Sequence, residues 1–215
     1  GDPCDARSLN HALDLSEVVD LALCNNAQTR EAWANSRAQA AQVGVSKAGY
    51  LPSAAVSASA NRNLTGTNAG LNQRSIGLSI SYLLYDFGSR AANLENARQL
   101  LAAASATQDS TVQAVFLGAV QAFYQAQAAL AALDAALESE RAAKESFAAA
   151  EARYIAGSAT LADKLQARTA FSQATLNRIT ADGFLKNARG ALANMIGLDA
   201  NRNVSLVAAN TSVIP

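Results

Sequence analysis

Histidine, cysteine, proline and aromatic residues are all scarce in this sequence. Its 215 residues include one histidine, two cysteines, three prolines and 6% aromatic side chains. A catalytic or metal site built on histidine would have to use His11, which lies in a polar segment and is interpreted as a surface residue. The sequence contains no phosphate-binding loop and no dinucleotide-binding fingerprint. It predicts a protein that is not an enzyme and holds no cofactor or metal.

Net charge and long apolar runs are missing as well. Lys and Arg together number 17, as do Asp and Glu, so the surface offers no overall attraction for nucleic acid. No uninterrupted run of about 18 apolar residues occurs, which we take to exclude a membrane-spanning helix. That absence does not exclude a membrane β-barrel, whose strands carry a weaker, alternating pattern.

Alanine and long helical segments are abundant. Half of the residues are hydrophobic and many of these are alanine, which favours helix and lets helices approach closely but buries little area. No proline occurs from Gly88 to about Tyr154, and at ~1.5 Å per residue this segment would be a rod of about 100 Å. A compact domain of this chain length has a radius of gyration of only about 17 Å. The rod is therefore expected to project and to pack against other rods in an assembly.

Two helices are predicted before the first break in the chain. Asp14 and Glu17 have the spacing of a capping box, in which an N-cap acceptor is followed three residues later by a glutamate. The pair Asn25 and Asn26 interrupts the helical pattern, which resumes to about Lys47. Pro52 then ends it, because the residue before a proline is driven out of the helical region.

After Ser53 the pattern changes to the two-residue period of β-strands. Two alternating runs flank a polar loop at residues 65–70, and each is close to the ~10 residues of a membrane-barrel strand. Serines on one face are expected to line a wet lumen, and tyrosines with Phe87 at one end would form an interfacial girdle. A half-buried soluble hairpin is the alternative, but two strands alone are marginal in water. The side chains predicted to face lipid are Val56, Ile76, Leu78, Ile80 and Tyr82.

The later helices carry a coiled-coil pattern, in which two apolar rows repeat every seven residues and are offset by three and four. The first row is Val112, Ala119, Ala126, Leu133, Phe147 and Tyr154, and the second is Phe116, Phe123, Leu130 and Leu137. A last helix is expected from about Thr160 to Ile196, with its apolar side at Leu161, Leu165, Leu176, Ile179, Leu192 and Ile196. Gly197 would end it, and the tail from Asp199 to Pro215 is interpreted as a connector.

Two local features allow more than one interpretation. Asp163 could complete a capping interaction with Thr160 at the start of the last helix, or it could make a charge contact between helices at the end of a tube. Cys4 and Cys24 flank a short N-terminal segment, and they could form a disulfide in an oxidising compartment or remain two separate thiols.

An ordered set of short motifs resembles one structural repeat of the TolC-like outer membrane efflux proteins, and specifically the first repeat. The motifs are Leu15-Ser16-Glu17, Ala22-Leu23, Asn25-Asn26, Tyr50-Leu51-Pro52-Ser53, Tyr85-Asp86-Phe87-Gly88, Arg153-Tyr154, Gly157 through Asp163, and Gly197-Leu198. The resemblance covers nearly the whole chain. Ala27 stands where that family often has proline, and a second repeat is not present. Either the sequence is a fragment of a longer polypeptide, which is the preferred expectation, or more copies assemble than is usual in the family.

The resemblance implies a mainly α fold with a transmembrane β-hairpin, in which long antiparallel coiled-coil helices form a periplasmic α-barrel and the two strands join an oligomeric β-barrel. It further implies a homotrimer in the outer membrane of a Gram-negative cell, in contact with lipid, a periplasmic adaptor and an inner-membrane transporter. The function would be a passive exit duct of an efflux pump or type I secretion system. The candidates for the gate at the tip are Asp163, Arg153, Tyr154, Gly157, Ser158 and Leu161.

The expected organisation follows from these patterns. It is an N-terminal extension at 1–13, periplasmic helices at 14–49, the hairpin at 50–87, a long helix at 88–156, a returning helix at 157–198 and a tail at 199–215. The alternative function is a soluble periplasmic protein of structural or adaptor-like type, built on a helical hairpin.

Overall fold

The computed structural model describes residues 11–62, 72–202 and 204–207. Its elements, in chain order, are α1 (Leu15–Asn25), α2 (Ala27–Ala48), β1 (Ser53–Arg62), β2 (Asn72–Ser81), α3 (Ser89–Ile155) and α4 (Leu161–Met195). The chain divides into two compact units, one formed by Gly1–Glu31 with Asp109–Pro215 and the other by Ala32–Gln108. The mainly helical fold with one antiparallel strand pair confirms the fold class predicted from the sequence.

Helix α1 begins and ends at the signals visible in the sequence. The backbone N–H of Glu17 donates to Asp14 Oδ1 at 2.7 Å, and Glu17 Oε2 accepts from the Asp14 N–H at 3.1 Å, which is the reciprocal pattern of a capping box. Asn26 ends α1 and starts α2, because its N–H donates to Ala22 O while its Oδ1 accepts from the N–H of Gln28 at 2.8 Å. The predicted break at this position is confirmed.

Strands β1 and β2 pair antiparallel over ten residues each. The register sets Ser53 opposite Ser81, Val56 opposite Leu78 and Arg62 opposite Asn72. Side chains on one face of a strand recur at every second residue, so this register keeps the two apolar rows on the same face of the pair. The polar loop predicted at residues 65–70 lies outside the described residues.

Helix α3 is continuous over 67 residues, as the absence of proline predicts. Among the described residues it is also the one helix that is long and apolar enough to cross a membrane by length and composition. The exclusion of a spanning helix from the sequence was therefore too strong, because scattered alanines raise the mean hydropathy of a window without forming an unbroken apolar run. Neither length nor composition assigns α3 to the periplasm.

The predicted coiled-coil seam is only partly the buried face of α3. Ala119, Phe123 and Ala126 are buried as expected, but Phe116 is 50% exposed and Leu137 is 44% exposed. Val115 and Ala122, which belong to neither row, are buried instead. An α-helix drifts by about 20° per seven residues against a strict heptad, so rows written by sevens leave the packed face along a helix of this length.

Helix α4 likewise buries only part of its predicted apolar side within this chain. Leu192 and Ile196 are buried, and so is Leu185, which the pattern omitted. The other four residues of that predicted side are between 49% and 54% exposed: Leu161, Leu165, Leu176 and Ile179. Ion pairs join α3 to α4, with Arg178 Nε lying 2.6 Å from Glu140 Oε2 and Lys164 Nζ 2.8 Å from Glu151 Oε1.

A hydrophobic cluster joins α1, the middle of α3, the end of α4 and the segment after it. Its largest fully buried side chains include Leu13, Val18, Leu192 and Ile196. Leu13 forms a parallel bridge with Leu206, in which the Leu13 N–H donates to Ser205 O at 2.9 Å. Val204 therefore belongs to this core and Leu206 packs against it, whereas Val207 is 44% exposed. The role of the tail as a connector stays a prediction.

Gly197 ends α4 in a tight corner of the same cluster. Its φ is 75°, a conformation that L-residues adopt only at a cost. A Cβ at this position would lie 2.6 Å from the backbone oxygen of Asn25. Glycine is therefore required twice at the predicted stop, once for the backbone angle and once for the close approach of α1.

Candidate functional site

The apolar face of the strand pair is exposed in the part of the chain that the structure describes. Ala54, Val56 and Ala58 lie opposite Ile80, Leu78 and Ile76 respectively. The larger side chains on this face are between 69% and 85% exposed. An exposed apolar face of this kind marks an interaction surface. Lipid contact of Val56, Ile76, Leu78 and Ile80 stays a prediction, as it does for Tyr82, which follows the end of β2 at Ser81.

The opposite face of the strand pair is small and polar. Ser53 and Ser81 are joined through their hydroxyls at 2.7 Å, and Ser59 and Ser75 are joined in the same way at 2.7 Å. Gly77 faces Ser57, whose Oγ would lie 3.0 Å from a Cβ added at Gly77. Hydroxyl groups satisfied across the strands leave a face that tolerates water and presents no charge over these positions.

The end of the strand pair near α2 and α3 gathers aromatic rings and one ion pair. Tyr85 and Phe87 contact edge to face, with ring centroids 4.7 Å apart, and the guanidinium of Arg90 lies 5.2 Å from the centre of the Tyr50 ring. Tyr82 is exposed at the same end. The aromatic cluster expected there is present, and Arg90 is a member that the sequence did not reveal.

Asp86 links this cluster to the start of α3. Its Oδ2 accepts from the backbone N–H of Arg90 at 2.8 Å and from Arg90 Nε at 2.7 Å. These bonds, first to the backbone N–H and then to the side chain of Arg90, hold the pKa of Asp86 below its usual range. Phe87 and Gly88 both have positive φ, 54° and 89°. The segment from Asp86 to Gly88 is therefore a capped helix start, with a strained backbone at Phe87 that the sequence did not reveal.

The strand pair has no third strand among the described residues, so the sheet there consists of two strands in the order β1-β2. Each strand consequently has an outer edge of backbone N–H and C=O groups without a strand partner in that part of the chain. Such edges are not tolerated in lipid, because hydrocarbon offers no hydrogen bonds. A lipid-facing role requires further strands from elsewhere.

The other predicted site is the turn between α3 and α4. Gly157 has φ of 72°, and the N–H and hydroxyl of Ser158 both donate to Arg153 O, at 2.9 and 3.0 Å. A Cβ at Gly157 would meet nothing within 4 Å. The turn is therefore formed by local hydrogen bonds, and the space beside Gly157 is open.

Asp163 makes the capping interaction in this structure. Its N–H donates to Thr160 Oγ1 at 3.2 Å, and its Oδ2 accepts from the Thr160 hydroxyl at 2.7 Å and the Thr160 N–H at 2.9 Å. The hydrogen bonds from the side chain and backbone of Thr160 hold the pKa of Asp163 below its usual value, and the charge of Arg153 acts in the same direction. A gating contact for Asp163 remains a prediction.

The remaining tip candidates are brought close together but differ in exposure. Tyr154 lies under Lys164, whose Nζ is 5.4 Å from the ring centre. Leu161 and Ile155 are 53% and 77% exposed. Lys164 contacts both Glu151 and Tyr154 and so joins α4 to the end of α3. The sequence analysis did not single it out.

The candidate disulfide between Cys4 and Cys24 involves one residue outside the described part of the chain. Cys24 lies partly buried in α1. Its candidate partner Cys4 lies outside the described residues, so the disulfide stays a prediction.

Known proteins resemble this chain in sequence over most of its length. A family model described as outer membrane efflux protein matches residues 18–198. Protein CyaE of Bordetella pertussis is 35% identical over 190 residues, which cover 87% of this chain and 40% of that protein. The sequence-based identification with this family is confirmed.

Solved structures agree on the fold. The Campylobacter jejuni CmeC outer membrane channel superposes with a TM-score of 0.81 at 24% identity, over 93% of this chain and 45% of that one. A membrane protein from Pseudomonas aeruginosa gives a TM-score of 0.75 at 26% identity, over 92% of this chain and 47% of that one. The chain thus spans roughly half the length of the proteins it matches.

Proposed function

The chain belongs to the outer membrane efflux protein family, and we propose on that basis that it forms part of a passive exit duct from the periplasm to the cell exterior. Its place is the outer membrane of a Gram-negative cell, with its helices in the periplasm. The family is one of ducts rather than of enzymes. No chemical step is assigned to any residue.

One observation carries this proposal beyond family membership. The strand pair presents an apolar row on one face and mostly serine residues on the other, and its large apolar side chains, such as Ile76 at 85% exposed, are not covered by the described part of the chain. Barrels of the outer membrane alternate lipid-facing and lumen-facing residues in the same way. The apolar row would face lipid and the serine row the aqueous lumen.

The two open strand edges determine how the duct is completed. Because unpaired backbone groups cannot face hydrocarbon, strands from further repeats or chains must close the barrel. We propose a trimeric assembly, with the helices forming the periplasmic part of the duct. A periplasmic adaptor would dock at the tip near Gly157, and an inner-membrane transporter reached through that adaptor would supply the energy for export.

Conductance across planar lipid bilayers tests the duct directly. The purified assembly is expected to open ion-conducting pores, and variants that loosen the tip should conduct more. A pure assembly that never conducts, with or without tip variants, would overturn the proposal.

Lipid contact tests the strand assignment separately. Spin labels at Ile76, Leu78 and Ile80 should be accessible to a lipid-soluble quencher, whereas labels at Ser75 and Ser79 should be accessible to a water-soluble one. Labels at the three apolar positions that report water or protein would instead support the soluble structural or adaptor-like alternative.

A further inference from the structure

A second polar feature lies far along α4 from the tip. The last turns of α4 and the loop after it enclose an open pocket of ≈ 740 Å³. Three cationic side chains, Lys186, Arg189 and Arg202, line it together with the amides of Asn187, Asn194 and Asn201. Among the described residues no carboxylate side chain lines this pocket, so the charged groups in its wall are all positive.

The positive charge is only partly neutralised by the unit itself. Lys186 Nζ lies 2.7 Å from Asp182 Oδ2 on the same helix. Nearby Asp199 directs its Oδ1 to the backbone N–H of Asn201 at 2.8 Å and serves the turn. Within the described part of the chain, Arg189 and Arg202 form no ion pair. Two full positive charges therefore remain at the pocket.

Arg189 also carries an unsatisfied donor. Its Nε is buried and has no hydrogen-bond partner among the described groups. A guanidinium binds a carboxylate side-on through Nε and one terminal nitrogen, so an acceptor that reaches this edge as the side chain turns outward would satisfy it. A buried donor without a partner is destabilising, which makes an acceptor from outside the unit favourable.

A purely structural explanation of these cations is weak. Basic side chains stabilise a helix when they lie in its last turn, where they meet the negative end of the helix dipole. The last turn of α4 contains no basic residue, and Lys186 and Arg189 lie before it. Their convergence with Arg202, which follows the helix, is not explained by the dipole.

From this convergence we propose that the pocket binds a carboxylate side chain presented by a second copy of this helical unit. The proposal rests on the proposed duct, in which such units lie side by side. The helical unit formed by residues 1–31 and 109–215 contains 15 acidic and 11 basic residues. It therefore has more carboxylates than its own cations can pair with, and these are available to the pocket of a neighbouring copy.

Zero-length cross-linking of the assembled protein in its native membranes tests the proposal. A carbodiimide joins a lysine amine to a carboxylate in direct contact, forming an amide, and peptide mass spectrometry identifies both residues. Lys186 in the natural protein, and the lysine side chain of the variant Arg189→Lys, are expected to cross-link to an acidic residue of another copy, and this product should disappear when the assembly is dissociated in detergent. The matched control is Arg141→Lys, because Arg141 contacts Glu138 and Glu145 of its own helix and should give only those products.

Two outcomes would overturn the inference. Cross-links from Lys186 and from position 189 that reach only Asp182 or Asp199 would mean that the pocket is satisfied within its own unit. Absence of any cross-link, together with protection of Lys186 from acetylation by added inorganic phosphate, would mean that the pocket takes a free anion. Bilayer conductance of the same preparation separates the two proposals, since a conducting protein without the cross-link refutes the pocket alone.

Discussion

The hydrophobic cluster around Leu13 and the strand pair use apolar side chains in opposite ways. In the cluster, Leu13, Val18, Leu192 and Ile196 are at most 1% exposed, and each such burial is worth about 1.5–3 kcal/mol. On the strand pair, Ile76 is 85% exposed. The cluster is buried by contacts within the chain, whereas the apolar face of the strand pair is exposed in the described part of the chain.

This contrast separates two reasons for placing a large apolar residue. Leucines of the cluster hold α1, α3, α4 and the residue-204–207 segment together. The isoleucines of β2 are not members of that cluster, and their exposure is what the proposed contact with lipid would require.

The largest expected effect lies in the cluster. Leu192→Ala removes a fully buried side chain and should lower the free energy of unfolding by about 3–4 kcal/mol, from lost transfer energy and the cavity left behind. Urea unfolding followed by far-UV circular dichroism measures this. Ile155→Ala, at a position 77% exposed, is the control and should cost less than about 1 kcal/mol. Equal losses would contradict the assignment of Leu192 to the packed cluster.

The next effect tests the strand face. Ile76→Arg places a charge on the proposed lipid side in the middle of β2, where it should cost about 2–4 kcal/mol in a membrane-embedded barrel. The neighbouring Ser75→Arg places the same charge on the proposed lumen side and should cost far less. Unfolding in lipid vesicles measures both. Should the two variants prove equally stable in vesicles, the two faces would not meet different phases.

The sequence predicted the features that depend on neighbouring residues. The capping boxes at Asp14 and Thr160, the break at Asn26 and the glycine stop at Gly197 each need only a few consecutive residues to be recognised. The alternation of the strands likewise predicted which side chains share a face, because side-chain direction in a strand follows directly from residue parity.

The sequence could not predict features that join distant segments. Leu13 pairs with Leu206 across most of the chain, and the short run from Val204 to Val207 gave no pattern long enough to pair it. The buried face of α3 at Val115 depends on which neighbours pack there, and a heptad count cannot supply that. At the pocket of α4, Lys186 and Arg189 are three residues apart, but only the fold brings Arg202 beside them.

A smaller effect tests whether the turn at Gly157 is stabilised by contacts within the chain, as the hydrophobic cluster is. Thr160→Ala removes the N-cap of α4 and should lower the free energy of unfolding by about 1 kcal/mol. The control Thr169→Ala alters a hydroxyl inside α4 that donates to Leu165 O, and alanine there should be neutral or slightly stabilising.

Bilayer conductance of Asp163→Ala then separates capping from gating. If Asp163 holds the entrance shut, this variant should conduct more than Thr160→Ala. If both variants lose stability and neither changes conductance, the capping interpretation is sufficient. The tip would then be stabilised by contacts within the chain, as the hydrophobic cluster is.

The smallest effect is the acid dependence of that cap. Hydrogen bonds from Thr160 lower the pKa of folded Asp163 below its value of 3.8 in the unfolded chain. The ionised carboxylate therefore stabilises the fold above that value, and the contribution is lost as the pH falls through the folded pKa. Urea unfolding of wild type and Asp163→Asn from neutral pH downward should show a difference that shrinks below pH 3.8. In a Thr160→Ala background the pH dependence of that difference should be reduced, because the hydroxyl that lowers the pKa is gone; an unchanged dependence would mean that Arg153 or a neighbouring copy, rather than the cap, controls this carboxylate.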